Sequence, residues 1–431
     1  MNRTAILLTI ASAAFAAPKA SPPAVTFYKD VLPVLQRNCQ NCHRPGEAAP
    51  MAFLDYEGTR PWAKAIKEAA VTRKMPPWFA DPHVGKFTND RSMSQAGIDT
   101  LARWADSGAK AGNPKDAPAP AQFASGWGIP QPDAVFEMPE AFEVKDSGTV
   151  EYTYFIVPSG FTEDRWVTHA EARPGNREVV HHIIAFLREP GSSWLRNYPV
   201  GKPFVPKGGG GGSEASGGFL TAFAPGLPPE QLRPGQAKLI KAGSDIVFQM
   251  HYTANGKATV DRSKVGVVFA KEPPTHRVLT LGASTSKFVI PPHADNHRVD
   301  ASIVLHRDFE LLALLPHMHV RGKAFQMRAV YPTGETEDLL SVPRYDFNWQ
   351  LWYQLPLGKV IPKGTRIEAT AWYDNSRNNK SNPNPDVAVR WGDQSWEEMM
   401  IGFFNASIPV DAAPVDLFRA PKKKADAPAG Q

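Results

Sequence analysis

From about residue 134 onward the chain reads as short apolar runs, each cut off by proline or glycine, and nothing else in it limits the fold so strongly. The segments 150–157, 178–187, 245–252, 264–269, 309–315, 325–331 and 366–373 have strand length and too little room for helices. Frequent turn signals between them, with no helical crossovers, predict antiparallel β-sandwiches and not a βαβ sheet. A stretch of about 275 residues is too long for one sandwich core and predicts two of jelly-roll-like type, at 134–274 and 275–412. The expected break is Pro273-Pro274.

The first part of the chain has a different character. Residues 24–112 carry helical punctuation: a helix before Cys39, helical periodicity over 61–72, and a segment from Ser94 to Ser107 in which Ser94 caps and Ile98, Leu101 and Trp104 share one face. A stiff linker rich in proline and alanine is expected over 113–133. Residues 1–17 read as a secretory signal peptide, with Arg3, a short apolar run and a site of small residues. No later stretch offers 18 uninterrupted apolar residues, so no stable membrane span is expected, and the location implied is periplasmic or secreted. The formal net charge of +5 is modest, and part of it lies in a basic tail over 413–431. It forms no basic stripe, which argues against nucleic-acid binding. The glycine run 208–212 reads as a surface loop without a phosphate-binding lysine.

The chain has two cysteines, and both are spent on one motif, Cys39-Gln-Asn-Cys42-His43. This C-x-x-C-H spacing lets two thiols bond one haem while the histidine reaches its iron. It predicts a covalently bound haem c with His43 as axial ligand, and it leaves no cysteine for a structural disulfide. A second axial ligand is expected at Met75, within Met75-Pro76-Pro77; Met51, Met93 and His83 are the rivals. The region resembles a small cytochrome c domain. The likeness rests on this motif, the helix before it, the helix through Trp104 and a Met-Pro loop like the sixth-ligand loop of class I cytochromes c.

Three strings of histidines follow. His181-His182 sit together in an apolar run, His251 lies in Gln249-Met250-His251-Tyr252, and His317-Met318-His319 ends another run. Neighbours on a strand face opposite sides, so the His181-His182 pair can meet one metal only if the backbone bends or the pair lies at an edge. The H-x-H pair points both imidazoles to one face, a direct geometry for chelation. Alone, His251 reads as a hydrogen-bonded core residue, His181-His182 is a weak signal for a metal, and the H-x-H pair is a stronger one. Together they place five imidazoles in apolar settings, where unpartnered polar groups are costly.

In this order, and with Glu398-Met399 near the end, the strings are similar to those of the copper type II, ascorbate-dependent monooxygenases. That family includes peptidylglycine α-hydroxylating monooxygenase and dopamine β-monooxygenase. The resemblance covers roughly residues 134 to 412. It implies two β-sandwiches facing across a solvent-filled cleft, each with one copper. One, storing electrons, would be held by His181, His182 and His251. The other, activating oxygen, would be held by His317, His319 and Met399, with Met400 as the competing thioether. The implied reaction inserts one atom of O2 into a C–H bond and reduces the other to water.

Departures from the family narrow the substrate. Where peptide-amidating members carry an arginine, an asparagine and a tyrosine, this chain has Leu315, Ile401 and Phe403. Without a cation a carboxylate is poorly held, and a rather apolar small substrate is expected. The haem is expected to stand in for, or relay from, an external reductant such as ascorbate or an electron-donor protein. The competing expectations are a non-catalytic electron-transfer or copper-binding protein that keeps both folds, and a helical domain that serves only in docking or redox sensing.

Overall fold

The computed structural model describes residues 24–47, 49–123, 126–207 and 218–419. The expected signal peptide, the glycine run 208–212 and the tail from residue 420 lie outside the described residues. Among the described residues no helix is long and apolar enough to cross a membrane.

Apolar spacing builds a small helical module first. A π-helical turn, Phe27–Val31, runs into the helix Leu32–Asn38, which tolerates Pro33 because it falls in the first turn. Helix Ala63–Val71 packs beside helix Gln95–Asp106. Ser94 caps the latter, its Oγ accepting the Gly97 N–H at 3.3 Å. Phe27, Leu35, Ile66, Leu101 and Trp104 share one core, with the Phe27 and Trp104 rings 5.8 Å apart. Met93 belongs to this core, and Met51 packs against it.

Beyond the module, the regular elements among the described residues are almost all strands. In the first sandwich, strands Thr153–Pro158, Asp245–Tyr252, Val180–Arg188 and Phe219–Phe223 form one antiparallel sheet in that order. It packs on a second sheet built from Ala134–Glu137, Lys264–Phe269, Arg165–Arg173 and Gln236–Ile240. The second sandwich sets His276–Ser284, Ile401–Pro409 and Phe309–His317 against His297–Val304, Arg366–Tyr373, Gly322–Val330 and Thr336–Val342. Between the sandwiches, at the expected break, Gln236 and Ala237 pair in parallel with His276 and Arg277. One ten-stranded sheet therefore continues through both.

Sequence patterning explains how the sandwiches meet. Asp245–Tyr252 and Phe309–His317 are buried along nearly their whole length, where a half-exposed strand would alternate. Phe248 and Met250 fill the first core, whereas Val247 on the opposite face joins Tyr152, Tyr154, Ile156, Phe186, Ala313, Leu315 and Trp352 in an apolar layer between the sandwiches. A strand covered on both faces needs apolar side chains on both.

The expected linker is not free along its length. Trp127 and Pro132 lie over Gly266, and the Glu171 carboxylate accepts the Gly128 and Ile129 N–H groups. A second connection runs from the helical module. Trp78 is buried in the core of the second sandwich, 4.9 Å from the Tyr353 ring, with Phe87 5.3 Å from that ring. Backbone and side-chain bonds from Asp81, Thr88 and Asn89 to Ser341, Gln354 and Trp352 fix this strap.

Candidate metal centre

His181, His182 and His251 come together through a one-residue irregularity. Val180 pairs with Tyr252 and His182 with His251, so His181 is the extra residue of a β-bulge. Val180 and Tyr252 face the first core, and with regular alternation His182 would face it too. The bulge turns His182 outward beside His251 and leaves His181 on the same side. One ring nitrogen from each histidine can be chosen so that all three lie within 4.8 Å of one another. The Nδ1 atoms of His181 and His182 are 3.3 Å apart. Two nitrogens bound to one ion at ~2 Å in tetrahedral geometry are separated by about that distance. The Nδ1 of His251 is buried and has no hydrogen-bond partner, as expected of an atom reserved for a ligand.

His317 and His319 sit at the end of strand Phe309–His317, with ring centroids 5.4 Å apart and planes at 89°. His317 Nδ1 donates to Gln350 Oε1 at 2.6 Å, and His319 Nδ1 donates to the Glu397 carbonyl at 3.2 Å. These bonds fix each tautomer and leave each Nε2 with a lone pair. The Nε2 of His319 is buried without a partner.

The two methionines separate by face. A Cβ on Gly402 would meet Ala369 and Met327, so Gly402 looks into the second core, as do Phe404 and the fully buried Met400. Ile401, which pairs with His317, and Phe403 look the other way. Met399, one position before Met400, lies outside the core and precedes Ile401 by two. Met400 is taken up by that core and Met399 is not. Buried Glu398 ties the two segments together, its carboxylate accepting the N–H groups of His319 at 2.8 Å and Arg321 at 2.7 Å. Burial pushes that carboxyl up to about 8, against the pull of these donors and of Arg321.

Burial lowers the pKa of all five imidazoles, His319 to about 3. Neutral imidazoles are the form that binds metal. Three imidazoles suit either copper oxidation state, and two imidazoles with a thioether favour Cu(I), so the donors present fit both expected ions.

Both sets face the layer between the sandwiches, where the resemblance implied a solvent-filled cleft. Here aromatic rings stand between them. Tyr152 lies 4.6 Å from His251, 5.3 Å from His182 and 6.5 Å from His319, and Phe347 lies 5.4 Å from His181 and 6.0 Å from His319. Neither ring stood out in the sequence. Phe347 lies in the aromatic-rich stretch 345–353, whose density is the one signal available.

In the helical module, Cys39 and Cys42 are partly buried and unpaired with each other. Burial pushes the Cys39 thiol up to about 12. His43 Nδ1 donates to the Met51 carbonyl at 3.3 Å, which leaves Nε2 as the ligand atom, the tautomer an axial histidine needs. Met75 is half-buried at the start of the strap, and its N–H donates to the Ala69 carbonyl. His83 is exposed farther along the strap. The module abuts the three-histidine side of the body. Arg177, four residues before His181, pairs with Glu47 at 3.0 Å, and Arg91 donates to the Gly226 carbonyl at 2.7 Å.

No family model matches the chain, and no curated protein matches it. Among solved structures, the infectious bursal disease virus VP2 subviral particle aligns at 10% identity over 67% of this chain and 74% of that one, with a TM-score of 0.19. The Macrobrachium rosenbergii nodavirus aligns at 11% identity over 68% and 96%, with a TM-score of 0.16. Likeness at that level carries no argument, and the β-sandwich architecture rests on the strand pairing itself.

Proposed function

We propose that this chain is an exported, copper-dependent monooxygenase that hydroxylates a C–H bond with O2 and carries a covalent haem c on Cys39, Cys42 and His43. The observation that carries the reading is that two sets of neutral imidazoles open toward one interface, each with a buried nitrogen lacking any protein partner. His181, His182 and His251 would hold one copper, and His317, His319 and Met399 the other. Copper bound there would supply one-electron chemistry toward O2, and a haem held by Cys39, Cys42, His43 and Met75 would supply a route for electrons from an external donor.

The chain's own residues do the rest. The bulge at His181 brings three rings together, and Glu398 holds the His317–His319 turn against the segment bearing Met399. Tyr152 and the apolar layer exclude water, which strengthens electrostatic interactions at both sets. Leu315, Ile401 and Phe403 give the His317 face an apolar surface, suited to a small substrate without a carboxylate.

Metal analysis with haem staining of the exported protein tests the proposal. Two coppers and one haem per chain are expected, with oxygen uptake on addition of ascorbate that His317→Ala or Met399→Ala abolishes. A second reading, a non-catalytic electron-transfer or copper-binding protein, is favoured by one feature. Leu315 and Phe403 are packed into the layer between the sandwiches, where amidating relatives carry substrate-binding groups. A single copper, or reduced metal inert to O2, would select it.

A further inference from the structure

The segment 345–350 of the second sandwich touches both histidine sets. The Tyr345 hydroxyl accepts the Met318 N–H at 3.1 Å and donates to the Met318 carbonyl at 2.7 Å, gripping the residue between His317 and His319. Phe347 stacks on His181, its ring inclined by 15°, and also lies 6.2 Å from His251 and 6.0 Å from His319. Gln350 Oε1 accepts a hydrogen bond from His317 Nδ1, while its own Nε2 is buried without a partner. An amide with one end unsatisfied is a poor choice for packing, so its oxygen end is what the site uses.

The loop also reaches the helical module on its far side. Trp349 lies against Gly226, whose carbonyl holds Arg91, and the Arg344 guanidinium donates to the Thr72 carbonyl at 3.4 Å. Four of the five histidines (His181, His251, His317 and His319) and the docked module thus share one short stretch of backbone.

We propose that loop 345–350 is a single positioning element for both histidine sets, with Gln350 orienting His317 and Phe347 holding the rings of His181 and His319 in register across the interface. This rests on the reading that both sets bind copper. The consequence is that the two sites are set by one loop and not by two independent sandwiches.

The test titrates the copper-free, haem-loaded full-length protein, in which Cys39 and Cys42 are spent on the haem, with Cu(I) against a competing chelator, with X-ray absorption reporting the copper–sulfur signal expected of the Met399-bearing set. Gln350→Leu should weaken one of two sites by roughly 10–100-fold and remove the sulfur signal at limiting copper. Gln350→Glu, which keeps an acceptor at the same reach, should restore both readouts. Gln350→Asn keeps the polarity but withdraws the oxygen, and should repeat the loss even if the leucine variant fails to fold. Phe347→Ala should weaken both sites. Unchanged affinities in Gln350→Leu, equal loss at both sites, or loss at one site alone in Phe347→Ala would each overturn the proposal. Wild-type protein that binds no copper overturns the underlying reading as well, an outcome distinct from two normal sites indifferent to Gln350.

Discussion

Five imidazoles kept neutral by burial give the metal-free protein a pH response whose sign is fixed. Their folded-state pKa values lie below the ordinary histidine value of 6.5. As pH falls through 6.5 the unfolded chain takes up protons that the folded chain refuses. Stability is therefore complete above that value and lost below it, by about 1.4 kcal/mol per pH unit for each imidazole that stays neutral. Glu398 works in the opposite direction by a single proton, since its carboxyl is raised to about 8. The urea midpoint of the metal-free chain should fall steeply between pH 6.5 and 5, and less steeply in a His182→Asn, His251→Asn variant. A flat midpoint over that range would mean the imidazoles are not buried together. All five residues were legible as sequence strings because polar rings in apolar runs stand out. Tyr152 and Gln350 were not, since one tyrosine or one glutamine carries no periodicity and gains its role only from histidines about 30 to 170 residues away and about 30 residues away, respectively.

At the scale of elements, most strands could be read from composition: 245–252, 264–269 and 366–373 coincide with observed strands, and Ser94 caps its helix as expected. The bulge at His181 could not be read, although the need for some bend could. A bulge is one residue of register, and register is set by pairing with the His251 strand across the sheet. This leads to an expectation that separates fold from site. Deleting His181 rejoins Val180, which faces the core, directly to His182, which faces outward, and so restores regular alternation. The deletion variant should keep its unfolding free energy in urea within about 1 kcal/mol of the parent, because a bulge contributes no ladder bond of its own. Its copper affinity at the three-histidine set should fall well below that of the parent. Loss of the folded sandwich on deletion would show that the bulge is structural. By contrast, Gly402→Val should destabilise by roughly 1–3 kcal/mol in urea, because the added Cβ meets Ala369 at 2.9 Å inside a closed core.

For the whole molecule, the sequence suggested three bodies on a string, whereas the structure interlocks them. The continuous sheet through Gln236–Ile240 and His276–Ser284 joins the sandwiches, and the apolar layer around Tyr154, Leu315 and Trp352 closes them on each other. These links escaped the sequence because a strand buried on one side by its own core and on the other by a neighbour reads simply as apolar. The helical module is held in the same way. Its strap inserts Trp78 into the second sandwich, and the ion pair Arg177–Glu47 adds little beside that burial. Truncating a buried tryptophan costs about 3–5 kcal/mol, whereas an ion pair at a surface contributes at most about 1. A protease site engineered into the proline-rich stretch 117–122 tests which connection governs docking. After cleavage the module should still co-elute with the β body on gel filtration, because the strap and not the linker carries the contact. Trp78→Ala combined with Phe87→Ala should release it after the same cut, and Glu47→Ala should not. Separation of the cleaved wild-type pieces would mean that the linker alone keeps the C-x-x-C-H module beside the three-histidine set, and that any transfer between them depends on tethering instead of a fixed interface.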